Sequence, residues 1–259
     1  MLKSAVISVG KEIVGGITLD TNSFFIAGYL LRLGFNNRHI IAVDDEKEEI
    51  IETINFLLNK VDVIITTGGL GPTFDDKTME SVAAALKLNL YLDADALKFI
   101  DEFYTKLYNQ GRIDEPGLNE KRRKMAYLIE GCKPLKNSVG AAYGCYIKYQ
   151  GKHIFVLPGV PKEMKPMFEN EVVPILKEIS DGVIVALEFE FKINDESVLG
   201  ELIDKVMRKS EVYIKSLPVG FESDSMGVRF TAYGESESKA KEKILRAKEE
   251  LENLLKSKV

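Results

Sequence analysis

The sequence predicts an α/β protein: a three-layer sandwich around a mostly parallel sheet, followed by a small α+β unit. Two observations predict it. Short apolar runs rich in β-branched residues alternate three times with helical stripes before residue 90, which is the pattern of βαβ units whose sheet is covered on both faces. Around Asp181-Gly182 the pattern changes to strand, helix, strand, strand, helix. Residues 1–180 therefore read as the main α/β domain and 181–259 as a βαββα domain.

The elements follow in order. Residues 4–9 are a short apolar run before Gly10, a buried strand. Ile26, Tyr29, Leu30 and Leu33 make one helical stripe, which Gly34 stops. Residues 39–43 read as a second strand, and Ile50, Ile51, Ile54, Leu57 and Leu58 mark the next helix. Residues 61–66 are a third strand, ended by Gly68-Gly69, and Met79, Val82, Ala83 and Leu86 mark a third helix. Residues 91–130 read as polar helix broken by Gly111 and Pro116-Gly117. Strands at 145–149 and 152–157 flank a Gln150-Gly151 hairpin turn, and 162–179 read as one helix shaped by Pro166 and Pro174. The second domain reads as strand 183–193, helix 196–209, strands 211–217 and 226–233, and a charged helix 236–257.

Composition narrows the function. Of 259 residues, 45% are hydrophobic and 29% charged, and the net charge is −5. That is an ordinary globular balance, and it argues against unspecific nucleic-acid binding. No run approaches the roughly 18 apolar residues of a membrane span. Two cysteines, Cys132 and Cys145, are too few for a disulfide framework or zinc ribbon and read as reduced packing residues. The N-terminus reads as a strand rather than a signal peptide, so a cytoplasmic protein is expected.

The most informative segment is Thr66 to Asp76, TTGGLGPTFDD, between a strand and a helix. Gly68, Gly69 and Gly71 let the backbone approach a ligand and expose N–H groups, and the next helix adds its positive end, which together favour phosphate. There is no Gly-Lys-Ser/Thr, so this is not a Walker A loop. Asp75 and Asp76 are either caps of the next helix or carboxylates that hold a divalent cation against phosphate oxygens. A second glycine-bearing loop follows the first strand, with Asp20-Thr21-Asn22 before a helix, where Asp20 or Thr21 can equally be a cap. Asp44 and Asp45 end the second strand. His39 and His153 stand apart inside strands and make no metal motif. Ser236-x-x-Lys239 reads as a helix cap, and Lys121-Arg122-Arg123-Lys124 as helix surface or a polyphosphate attractor.

In order and spacing, GKEIVGGITLDTN, TTGGLGPTFDD, NSVGAAYG and LPGVPKEMKPMF resemble the CinA family over roughly residues 4–175. The βαββα tail is similar to that family's small middle domain. The resemblance implies the molybdopterin-binding-like fold shared with MogA and MoaB. It also implies a metal-dependent pyrophosphatase that hydrolyses ADP-ribose or FAD to AMP plus a phosphorylated half, in a homo-oligomer (dimer or trimer). By matching motifs, Asp75, Asp76 and Asp20 would be catalytic and hold the divalent metal ion (Mg, Mn, Co or Ni). Gly68, Gly69, Gly71, Thr73, Glu12, Asn22, Asp44, Asp45, Gly140, Gly144, Pro158 and Gly159 would bind substrate. Where MogA relatives carry GGTG this chain has Gly68-Gly69-Leu70-Gly71, which leans away from the alternative, a molybdopterin-binding module without hydrolysis. The family's third domain, which deamidates nicotinamide mononucleotide, would begin beyond this chain, so no such activity is expected of it.

Overall fold

A computed structural model describes residues 1–193, 195–217 and 225–257. The chain divides into two compact units: residues 2–30 with 36–179, and Met1 with Leu31–Phe35 and the chain from Ser180 onward.

The larger unit begins with strand β1 (Lys3–Val9), the single turn α1 (Lys11–Val14) and helix α2, which starts at Thr21 and ends at Arg32. β2 (Asn36–Val43), α3 (Lys47–Leu58), β3 (Val63–Thr67) and α4 (Thr78–Leu86) complete the alternation. Then come β4 (Leu90–Leu92), α5 (Ala94–Asn109), α6 (Glu120–Lys124), β5 (Tyr127–Ile129) and β6 (Lys133–Leu135). β7 (Gly144–Tyr149), β8 (Lys152–Leu157), α7 (Pro161–Met167), a π-helical turn (Phe168–Val172) and α8 (Val173–Ile179) close the unit.

One mixed sheet has the order β2-β1-β3-β8-β7-β6. β2, β1, β3 and β8 are mutually parallel, and β7 runs against both of its neighbours. Alternation along the strands divides the core in two. Ala5, Ile7, Val9, Ile64, Ile154 and Val156 face Ile50, Ile54 and Leu57 of α3, Val82 and Leu86 of α4, and Ile100 of α5. On the opposite face Phe168 packs edge-on against Phe25 and Tyr29 of α2. This is the three-layer sandwich. Side chains such as Ile7, Ile64 and Phe155 are fully buried, and each contributes about 1.5–3 kcal/mol by leaving water.

Two expectations are corrected here. The segment 91–130 is not all helix: β4 and β5 pair as a separate antiparallel ribbon, Leu90 opposite Ile129, and β6 just beyond it adds the sixth strand. Strands of three residues are too short to display a period. The helix expected over 162–179 is interrupted by the π-turn between α7 and α8. Pro174 has no N–H to donate to the preceding turn, and a widened turn absorbs the missing bond.

The smaller unit contains β9 (Val183–Phe191), α9 (Glu196–Met207), β10 (Val212–Leu217), β11 (Met226–Gly234) and α10 (Glu237–Lys256). Its antiparallel sheet, β10-β11-β9, is covered on one face by Leu199, Leu202 and Val206 of α9 and Ile244, Ala247 and Leu251 of α10. The Ser236 hydroxyl accepts the Lys239 N–H at 3.3 Å, a helix cap. Lys241–Glu237, Arg246–Glu242 and Lys248–Glu252 pair at i,i+4 on the solvated side of α10. Among the described residues no helix is long and apolar enough to cross a membrane.

Candidate functional site

Because β1, β3 and β8 are parallel, the loops that leave them emerge at one edge of the sheet. β7 runs the other way, so the segment 136–143 that enters it starts from that same edge. The loop after β3 is built on two glycines that no other residue replaces easily. Gly68 has φ +113°, and a Cβ there would stand 2.2 Å from the Val9 carbonyl oxygen. Gly69 has φ +66°, and its Cβ would stand 2.2 Å from the buried Thr78 Oγ1. The Gly69 carbonyl accepts the Thr78 N–H at 3.1 Å, which ties the loop to the first turn of α4. Beyond it, Thr73 gathers both acids. Its N–H donates to Asp76 Oδ2 at 2.8 Å, and its hydroxyl bonds to Asp75 and Asp76. Neither acid caps α4, whose N-cap position is Lys77 with no side-chain bond.

These loops enclose a crevice of about 860 Å³. Glu12, Asp20, Asn22, Asp45, Gly68, Gly69, Gly71, Thr73, Asp75, Asp76, Gly140, Pro158 and Gly159 all line it, so residues far apart in sequence meet there. Two candidates are placed elsewhere. Gly144 is a packing glycine, since a Cβ would meet the Val156 oxygen at 2.6 Å and Met167 Sδ at 2.7 Å. Asp44 turns from the crevice to accept the Asp45 N–H at 2.7 Å and to lie 3.9 Å from Lys11 Nζ.

Asn22 works as a clamp. Its amide donates to Thr67 Oγ1 at 3.0 Å and to the Gly159 carbonyl at 2.7 Å, joining the ends of β3 and β8 to α2. Asp20 accepts the Ser23 N–H at 2.9 Å, the capping alternative. Asp20, Asp75 and Asp76 are not gathered into one ligand set: among the described residues no three His, Cys, Asp or Glu side chains are grouped to hold a metal ion.

The acids make the crevice electronegative on one side. Burial raises the Asp45 carboxyl, the Lys11 N–H bonded to it at 2.9 Å opposes this, and Glu12, Asp75 and Asp44 raise it further. Asp75 lies below the usual carboxylate range because the Thr73 hydroxyl bonds to it, with Lys124 and Lys77 adding positive charge. Lys124 Nζ also donates to the Thr73 carbonyl at 2.8 Å.

One part of the lining was not foreseen from the sequence. Phe103, Tyr104 and Leu107 of α5, together with Arg112 and Met125, supply an apolar and aromatic face with one cation. Arg122 lies 4.1 Å over the Tyr104 ring and donates to the Glu115 and Gly117 carbonyls, so within the basic cluster it is a structural brace. Glu163 also lines the crevice and accepts the amide of the buried Asn137 at 2.7 Å. Its sequence signal was its place one turn into a helix that follows a parallel strand.

Glycine loops converging on one crevice at the carboxyl edge of a parallel sheet define an α/β ligand-binding domain. Residues 5–178 match the family model described as a probable molybdopterin binding domain, and the chain belongs to that family. A protein of Pyrococcus furiosus is 47% identical over 217 residues, with 83% of this chain and 85% of that one covered. One of Aeropyrum pernix is 39% identical over 257 residues, with 95% and 93% covered. The crystal structure of the protein CinA from Thermoplasma acidophilum, described as of unknown function, matches with a TM-score of 0.60 at 37% identity. That match covers 67% of this chain and 98% of that one, and over this span the chain is CinA-like.

Proposed function

We propose that this chain hydrolyses the phosphoanhydride of a dinucleotide such as ADP-ribose or FAD, releasing AMP and a phosphorylated half, with a divalent cation as cofactor. The observation that carries this reading is the mixed lining of the crevice: a glycine backbone cradle, the acids Asp75 and Asp76, and the aromatic side chains Phe103 and Tyr104. The N–H groups of Gly69, Leu70 and Gly71 suit phosphate oxygens, while the Gly68 N–H is donated to the Leu157 carbonyl at 3.1 Å. Phe103 and Tyr104 suit a flat base or ring system. The donor set fits a hard cation, because such an ion needs only one or two carboxylates when substrate phosphates and water complete its shell. Asp75 and Asp76 would hold it, with Asp45 nearby adding negative potential. A bound cation supplies charge neutralisation at the scissile phosphates. The chain's own part is to hold the phosphates still, keep Asp75 ionised through Thr73, and exclude bulk water from one side of the anhydride.

The family match favours a second reading, a molybdopterin-binding module without hydrolysis. One experiment separates the two. Purified protein is incubated with ADP-ribose or FAD, with and without Mg²⁺ or Mn²⁺, and AMP is followed chromatographically. Metal-dependent AMP release that Asp75→Asn and Asp76→Asn abolish, with their circular dichroism unchanged, supports the enzyme. Saturable ligand binding with no AMP at any metal concentration overturns it in favour of the binding module.

A further inference from the structure

The chain's two cysteines, 13 positions apart in sequence, belong to one hydrophobic cluster of the larger unit. Pro134 of β6 is directly opposite Cys145 of β7 in the antiparallel register. Cys132 immediately precedes β6, where its N–H donates to the Ile129 carbonyl at 3.1 Å, and it packs against the buried cluster that contains Cys145. Cys145 is buried, whereas Cys132 is partly exposed. The Cys145 thiol points to Met79 Sδ at 3.6 Å, on the first turn of α4. The two thiols perturb each other: Cys145 beside it lowers Cys132 below the ordinary thiol value, while burial pushes Cys145 well above it. One thiol is thus accessible and thiolate-prone, and its neighbour is sheltered.

We propose that Cys132 and Cys145 are a reversible dithiol–disulfide pair, oxidised by exchange with a small-molecule disulfide. The Cys132 thiolate attacks one sulfur of the small disulfide; a mixed disulfide forms and one small thiolate leaves. The Cys145 sulfur, its proton lost to solvent, then attacks the Cys132 sulfur and expels the second small thiolate. Two protein thiols become one disulfide, and one small disulfide becomes two small thiols. The closed ring spans residues 132–145 and contains Val139, Gly140, Ala141 and Ala142 of the crevice lining. The bond also removes the thiol proton that Cys145 directs at Met79, beside the loop–helix junction made by Gly69 and Thr78.

The test uses the full chain, reduced and then exposed to oxidised glutathione. The thermal midpoint is recorded on the folded protein, and a second portion is denatured in an alkylating reagent for its intact mass. The expected result is a monomer two hydrogens lighter that takes up no alkyl group and melts several degrees higher, with both changes reversed by a reductant. Cys145→Ser should stop at a stable glutathione adduct on Cys132, and Cys132→Ser should form no adduct. Two alkyl groups on the oxidant-treated wild type, an adduct on wild type that never resolves, or a covalent dimer in place of the ring would each overturn the proposal.

Discussion

Replacing Gly69 by alanine sets backbone strain and a steric contact against each other in a measurable way. At φ +66° an alanine carries a left-handed penalty of about 1–2 kcal/mol. Its Cβ would also stand 2.2 Å from Thr78 Oγ1, and relieving such overpacking costs a further ~1–3 kcal/mol. Gly69→Ala should therefore destabilise the fold by about 2–5 kcal/mol. Gly16 is the control, since it has φ +70° but nothing within 4 Å of its Cβ position; Gly16→Ala should cost only the backbone part, about 1–2 kcal/mol. Thr78 Oγ1 is buried without a hydrogen-bond partner, so Thr78→Ala removes the obstructing atom and breaks no bond. In Gly69→Ala/Thr78→Ala the 2.2 Å contact is gone and the Cβ of residue 78 at 3.3 Å is the nearest atom left, so the coupling energy should be about 1–3 kcal/mol in the relieving direction. Urea unfolding of the wild type, both single variants and the double variant closes the cycle. Additivity within about 0.5 kcal/mol would refute the claim that Thr78 is what requires glycine at this position.

Two further outcomes are expected. Asn22→Ala removes the amide bonds to Thr67 and Gly159 and should lower stability by about 2 kcal/mol; a shift in urea midpoint no larger than that of an exposed control such as Asn59→Ala would show that the clamp carries little. His153 is held below its ordinary value near 6.5, first by burial and then by Lys148, so the unfolded chain binds its proton more readily than the folded one. Stability from this residue should be complete above pH 6.5 and fall as pH drops through 6.5 toward the lower folded value; His153→Phe should flatten that part of the urea-midpoint profile, and an unchanged slope would contradict it.

What the sequence revealed follows from how its signals arise. Runs such as Val63–Thr67 are uniformly buried in a parallel sheet, so composition alone marks them. The helix stripe of α3 shows because one face packs and the other is wet. β4, β5 and β6 did not show, because three residues carry no period, and β4 and β5 are in addition far apart along the chain. At the crevice, glycines and paired acids were readable because turns and charges are local. Tyr104 and Arg112 were not, since their role depends on where α5 and the following loop come to rest. Gly144 and Asp44 look like their neighbours in sequence, and only three-dimensional placement separates a packing glycine and an outward acid from the lining.

The single reversed strand, β7, has a practical corollary. Because it runs against β8, the turn at Gln150-Gly151 that joins them sits at the opposite end of the strands from the crevice loops. Nothing stands within 4 Å of a Cβ position at Gly151. A fluorophore, an affinity handle or an inserted peptide placed in that turn would tether the larger unit by the sheet edge opposite its crevice. An immobilised sensor surface made this way would present every crevice to the flowing sample.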